Sequence, residues 1–252
     1  MEFIKAIAFD LDGTIYVGDK LVDGVIEVLN YLKKKDIQVF YFTNNSSKTR
    51  KNIHQKLQKT NLHTDLETVY NSAYAAGIYL KEYNFTKVYC CGSAELQEEI
   101  ISSGIECVND EDLPEAVVVG LDHGFNYEKM AAALNLLKNK DCRLIVCNKD
   151  RNYPVENSIL MPGCGAIVSA IEFAAKRQAD VIIGKPETFM LDLLCKDWNF
   201  LNEEILIVGD TFDSDIAMAD TYGSPSLLLD YDNEFANRER TIKSIIEVKN
   251  YL

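Results

Sequence analysis

Short apolar runs alternate with longer amphipathic stretches along most of the chain, and that alternation admits few folds. A strand buried on both faces reads as an unbroken apolar run, and such runs alternating with helical patterns build βα units around a parallel sheet. Ile4 to Phe9 predicts a first buried strand, followed by Gln38 to Phe42, Ile205 to Val208 and Ser226 to Leu229. Helical patterns fall at Val25 to Lys34, Lys48 to Lys59, Glu187 to Trp198 and Ser214 to Asp220. A last helix is predicted from Ser244, where Ser244 and Glu247 have capping-box spacing. The middle of the chain carries its own set: strands at Val88 to Cys91, Ala116 to Val119 and Leu144 to Cys147, and helices at Ala94 to Ser103, Asn126 to Asn139 and Ala166 to Lys176. The expected fold class is α/β, with a doubly wound, Rossmann-like parallel-sheet core from residues 1–80 and 179–252 and an inserted α/β domain at 81–178. Element count alone draws that boundary, since no repeat or linker rich in proline and glycine marks it.

A chain of 252 residues with 47% hydrophobic and 26% charged residues can bury a sizeable core, which excludes disordered and collagen-like classes. The 26 basic and 39 acidic residues give a net charge of −13, which argues against a nucleic-acid partner. A small phosphorylated substrate is compatible with it, because a local metal or lysine outweighs a distant negative field. No uncharged apolar stretch approaches the ~18 residues that span a bilayer. The apolar run before Asp10 is too short for a signal peptide and carries Lys5. A cytoplasmic protein without a membrane partner is expected, with homo-oligomer formation left open. Seven cysteines, with Cys90 and Cys91 adjacent and no CxxC pair, favour reduced, mostly buried thiols over disulfides or zinc.

Four segments carry the chemistry. Asp10-Leu11-Asp12-Gly13-Thr14 follows the first strand, and residues two apart on an extended chain point to one side, so Asp10 and Asp12 converge where open α/β sheets place their sites. A hard divalent cation such as Mg²⁺ would relieve their repulsion; a plain strand-to-turn junction is the competing reading. Thr43-Asn44-Asn45-Ser46 offers hydroxyl, amide and backbone N–H groups before a helix, either a phosphate cradle or a capping segment. In Gly184-Lys185-Pro186-Glu187 the proline suits the first turn of a helix, which would set Lys185 at the mouth of the sheet. Gly209-Asp210-Thr211-Phe212-Asp213-Ser214-Asp215 places three acids behind a buried strand. Asp213 or Ser214 is expected to cap the next helix, leaving Asp210 and Asp215 as a costly acidic pair without a metal.

Taken in this order, DxDGT, TNN, KP and GDxxxxD resemble the haloacid dehalogenase (HAD) superfamily of phosphohydrolases, over nearly the whole chain. The likeness narrows to its NagD-like, 4-nitrophenylphosphatase-like branch, which inserts a large cap between the second and third motifs. Tyr16-Val17-Gly18-Asp19, Val119-Gly120-Leu121-Asp122 with Phe125, and Pro162-Gly163-Cys164-Gly165-Ala166 look like that branch too, with Cys164 replacing its usual small residue. The resemblance implies Asp10 as nucleophile and Asp12 as general acid and base. It implies Mg²⁺ held by the Asp10 carboxylate, the Asp12 carbonyl and Asp210, with Asp215 orienting from behind. Thr43, Asn44, Asn45 and Lys185 would bind the phosphoryl oxygens. The implied activity is Mg²⁺-dependent hydrolysis of a small phosphomonoester through an aspartyl-phosphate. A phosphotransferase or phosphomutase, and a catalytically silent phosphometabolite-binding regulator, are the alternatives. His123, Asn148, Lys149 and Asp150 on cap loops are candidates for substrate choice.

Overall fold

The computed structural model describes residues 4–154, 159–235 and 238–252. Contacts divide the chain into two compact units: the chain up to Thr43 with His54–Tyr70 and Lys185–Leu252, and Asn44–Ile53 with Asn71–Gly184.

The first unit opens with β1 (Ala6–Asp10), a hairpin of β2 (Tyr16–Val17) and β3 (Lys20–Leu21), α1 (Val25–Lys34) and β4 (Gln38–Thr43). Helix α2 (Arg50–Lys59) and strand β5 (Val69–Asn71) follow, with Arg50–Ile53 of α2 and Asn71 of β5 counted in the second unit. The second unit holds α3 (Ser72–Glu82), β6 (Lys87–Cys91), α4 (Ala94–Ser102), β7 (Glu106–Cys107), β8 (Ala116–Val119), α5 (Tyr127–Leu136) and β9 (Arg143–Val146). It continues with β10 (Asn152–Pro154), β11 (Leu160–Pro162), α6 (Cys164–Ala175) and β12 (Val181–Ile182). The chain returns to the first unit with α7 (Phe189–Trp198), β13 (Ile205–Gly209), α8 (Ala217–Tyr222), β14 (Ser226–Leu229), β15 (Thr241–Ile242) and a 3₁₀ helix at Ile245–Tyr251.

The first unit's sheet has the order β15-β14-β13-β1-β4-β5, with β1 parallel to both of its neighbours. Every residue of β1 is buried, which is why its sequence is an unbroken apolar run up to Asp10. Helix α1 buries Val25, Val28 and Leu32, one stripe at helical spacing, and places Lys33 and Lys34 where the helix dipole favours cations. From β1 the chain moves to β4 on one side and later arrives at β13 on the other, and a sheet opens a crevice at the carboxyl ends of its strands where its order reverses.

The second unit has its own parallel sheet, β12-β9-β8-β6-β7. Val117, Val119, Leu144 and Val146 pack there with Ala133 of α5 and Ile171 of α6 in one apolar core. Asn71, Ser93 and Asn126 cap α3, α4 and α5 by accepting from backbone N–H groups at 3.2, 3.2 and 3.0 Å.

Several expectations need adjustment. The second unit spans Asn71–Gly184 where 81–178 was expected, because α3 and β12 belong to it, and it also takes in Asn44–Ile53. Helix α3 buries Ala73, Ala75, Ala76 and Leu80 on several faces, so it shows no amphipathic stripe, and β12 is too short to stand out. A π-helical turn at Phe212–Ile216 precedes α8. Pro186 precedes α7 instead of occupying its first turn, and the Lys185–Pro186 peptide is cis. Ser244 caps the last element by accepting from Ile246 N at 3.4 Å, but Glu247 accepts from Lys243 N and the element is 3₁₀. All seven cysteines are free thiols, five of them buried. Among the described residues no helix is long and apolar enough to cross a membrane.

Candidate active site

Strand register assembles the site. Asp10 lies opposite Phe42 of β4, and Phe9 opposite Val208 of β13, so Asp10, Thr43 and Asp210 stand at three adjacent strand ends. The π-helical turn carries Asp215 back towards them: its N–H donates to Thr211 O at 2.9 Å and its Oδ2 accepts from Thr211 N at 3.2 Å. Thus Asp215, and neither Asp213 nor Ser214, serves that turn's backbone. Two glycines leave space for the acids. A Cβ on Gly209 would sit 2.3 Å from the Asp215 carboxyl, and one on Gly13, whose φ is +93°, would sit 2.0 Å from Asp210 Oδ2.

One carboxylate oxygen from each of Asp10, Asp210 and Asp215 consequently lies within 4.8 Å of the other two. Buried Lys185 donates from Nζ to Asp10 Oδ1 and to Asp215 Oδ1, each at 2.6 Å, and to Phe42 O at 3.4 Å. Burial alone would lower the Lys185 pKa, but the carboxylates of Asp10 and Asp215 outweigh it and hold the pKa above the usual lysine value, so the ammonium stays charged. With all three acids ionised, the one ammonium among them leaves a surplus of two negative charges. Burial raises Asp10 well above the ordinary carboxylate range, opposed by Lys185 and reinforced by Asp215 and Asp210. Burial, then the Asp215 charge, raises Asp210 to about 6. Hard oxygen ligands with unmet negative charge, in a cradle that a Cβ would fill, fit a small divalent cation.

Asp12 stands apart from this cluster and is exposed. Partial desolvation nonetheless raises its pKa, against Lys56 and Lys185, which lower it. A carboxyl more readily protonated than usual, two residues from Asp10, suits proton transfer.

The two asparagines are held within the second unit. Asn44 donates from Nδ2 to Asp150 Oδ1 at 3.0 Å, and its carbonyl accepts from Ser72 Oγ at 2.6 Å and from Asn148 Nδ2 at 2.7 Å. Asn45 Oδ1 accepts from Ser47 N and Oγ, and its carbonyl accepts from Asn71 Nδ2. Asn148 and Asp150 therefore anchor this segment, and Lys149 pairs with Glu172 Oε1 at 2.7 Å. Of the four specificity candidates, His123 alone sits on exposed loop surface, its Nε2 2.7 Å from the Tyr153 hydroxyl. Cys164 is packed in the second unit's apolar core. No local pattern could have joined Asn44 to Asp150 across so long a stretch of chain.

The family model for haloacid dehalogenase-like hydrolases matches residues 7–106, and a second HAD hydrolase-like model matches 182–244. Human glycerol-3-phosphate phosphatase is 33% identical, over 89% of this chain and 78% of its own. The chloroplastic phosphoglycolate phosphatase 1A of Arabidopsis thaliana is 32% identical, over 91% of this chain and 69% of its own. The chain belongs to the haloacid dehalogenase-like hydrolases. It is a phosphatase of that family, on the branch of the NagD and 4-nitrophenylphosphatase proteins. The structure of the Thermotoga maritima 4-nitrophenylphosphatase superposes with a TM-score of 0.91 at 27% identity, covering 99% of this chain and 97% of that one. A glycerol phosphate phosphatase from Mycobacterium tuberculosis, crystallised with magnesium, superposes with a TM-score of 0.82 at 27% identity, covering 90% of this chain and 68% of that one. In this HAD-like phosphatase the first family match spans Asp10, Asp12 and Thr43, and the second spans Lys185, Asp210 and Asp215.

Proposed function

We propose that this phosphatase hydrolyses a small phosphomonoester through a phosphorylated Asp10, with Mg²⁺ as cofactor. The observation that carries the reading is the Asp10 carboxylate, buried at the end of β1, held by Lys185 through Oδ1 and clustered with Asp210 and Asp215. Asp10 and Asp210, with the Asp12 carbonyl, would hold Mg²⁺, and Asp215 would support them from behind. When bound, Mg²⁺ supplies positive charge against the phosphoryl oxygens.

The bond from Lys185 fixes the rotation of the Asp10 carboxylate and leaves Oδ2 to attack phosphorus. The P–O bond to the leaving group breaks as the Asp10–phosphorus bond forms, and Asp12 gives its proton to the departing oxygen. Asp12, now a carboxylate, takes a proton from the water that cleaves the acyl phosphate, which restores both acids. Thr43 and Lys185 bind phosphoryl oxygens, and Asn44 and Asn45 are assigned to the same oxygens by the motif they share with Thr43. A leaving group of a few carbons is favoured, in keeping with the glycerol phosphate and phosphoglycolate named for two relatives.

The test is phosphate release from 4-nitrophenyl phosphate, glycerol phosphate, phosphoglycolate and sugar phosphates with Mg²⁺, together with borohydride trapping during turnover. Reduction of residue 10, read by peptide mass, is expected. Turnover with no label at residue 10 would overturn the aspartyl-phosphate.

A further inference from the structure

The stretch Tyr16-Val17-Gly18-Asp19 has no part in the mechanism above. It forms the β2–β3 hairpin, with Tyr16 opposite Leu21, Val17 opposite Lys20, and Gly18 at φ +60° in the turn. Its root is the loop that carries Asp12: Tyr16 bridges to Asp12, Gly13 N donates to Tyr16 O at 2.8 Å and Tyr16 N to Leu11 O at 3.1 Å. Movement of this hairpin therefore moves Asp12. A ladder of two residues per strand does not hold itself in place.

The residue that grips it lies on α2. Lys56 Nζ is 3.7 Å from the centroid of the buried Tyr16 ring and 4.0 Å from Asp19 Oδ1, so one ammonium engages both the root and the tip of the hairpin. The Asp19 side chain is 95% exposed, and an ion pair so open to water adds little to stability. What the grip does fix is orientation. We infer that Lys56 is a positioning residue: it clasps the β2–β3 hairpin to α2 and so holds Asp12 at the oxygen it must protonate. The inference rests on the general-acid role given to Asp12 above.

The readout separates positioning from bulk stability through the leaving group. An alkyl oxygen needs a proton to depart, whereas nitrophenolate leaves without one. Single-turnover phosphorylation rates are measured for wild type, Lys56→Met, Lys56→Arg and Asp19→Asn with glycerol phosphate and with 4-nitrophenyl phosphate. Lys56→Met, which keeps the stem and removes the charge, is expected to slow the alkyl ester about tenfold and the nitrophenyl ester less than about threefold. Lys56→Arg, whose guanidinium also binds an aromatic face, is expected to restore most of the loss. Asp19→Asn, at an exposed site, is expected to act in the same direction and more weakly. It decides the matter if Lys56→Met does not fold. Equal losses on both esters, or no rescue by arginine, would overturn the clasp while leaving the phosphatase reading intact. Failure of the wild type on both esters would overturn that reading and the clasp with it.

Discussion

The two units share an architecture and differ in how they treat buried charge. Each is a parallel sheet covered by helices, and each buries carboxylates. In the second unit Glu172 accepts from Lys149 Nζ and from Ala179 N, each at 2.7 Å, and Glu99 accepts from Arg50 N. Those acids have partners enough to be structural. In the first, Asp10, Asp210 and Asp215 cluster, and the one lysine among them pairs with Asp10 and Asp215 alone. One sheet architecture thus supports a scaffold in one place and a reaction site in the other, and residues at strand ends make the difference.

The sharpest test removes the nucleophile. Asp10→Asn is expected to lower kcat by at least about 10³-fold, since the amide cannot attack phosphorus. Its melting temperature should not fall, because a surplus buried charge goes with it. Loss of activity together with loss of fold would mean that the acids of the first unit are structural after all.

The next effect is thermodynamic. Asp210 has a folded pKa of about 6 against an ordinary 3.8, so between those values the folded state binds the extra proton. This group's contribution to stability is then present at low pH and is lost as pH rises through about 6. Metal-free protein should lose stability across that window, and the rise in melting temperature on adding Mg²⁺ should grow with pH through it. Thermal melts with and without Mg²⁺ would show this, and Asp210→Asn should flatten the trend. A shift independent of pH would contradict it.

Glu172→Gln probes the other side of the contrast. It leaves Lys149 without its carboxylate and should cost about 1–2 kcal/mol in urea unfolding, with kcat per folded molecule unchanged. A drop in kcat would give the second unit's ion pair a part in turnover. Smallest of all, Cys164→Ala should cost about 1 kcal/mol and leave KM unaltered, as expected of a core thiol. A changed KM would instead give Cys164 a part in substrate binding.

The same division explains what could be read from the residues alone. Strand β1 and the acids at its end were legible because an apolar run and a two-residue spacing are local signals, and β8 and α1 have the bounds expected for them. Helix α3 was not, because a helix buried on several sides loses its stripe. The role of Asp215 at Thr211 depends on a π-helical turn, for which a helical pattern gives no warning. Lys185 was legible as a cation near the strand ends, but its two carboxylate partners come from distant parts of the chain.

The position of β1 also sets a timetable for biosynthesis. Its neighbours are β4 and β13, and at ribosomal speeds of about 5–20 residues per second the roughly 160 residues between them take on the order of ten seconds to emerge. Every strand of the second sheet is translated inside that interval. Until β13 leaves the tunnel, the apolar edge of β1 has no partner on that side, so the newborn chain carries an open seam that the finished protein never shows.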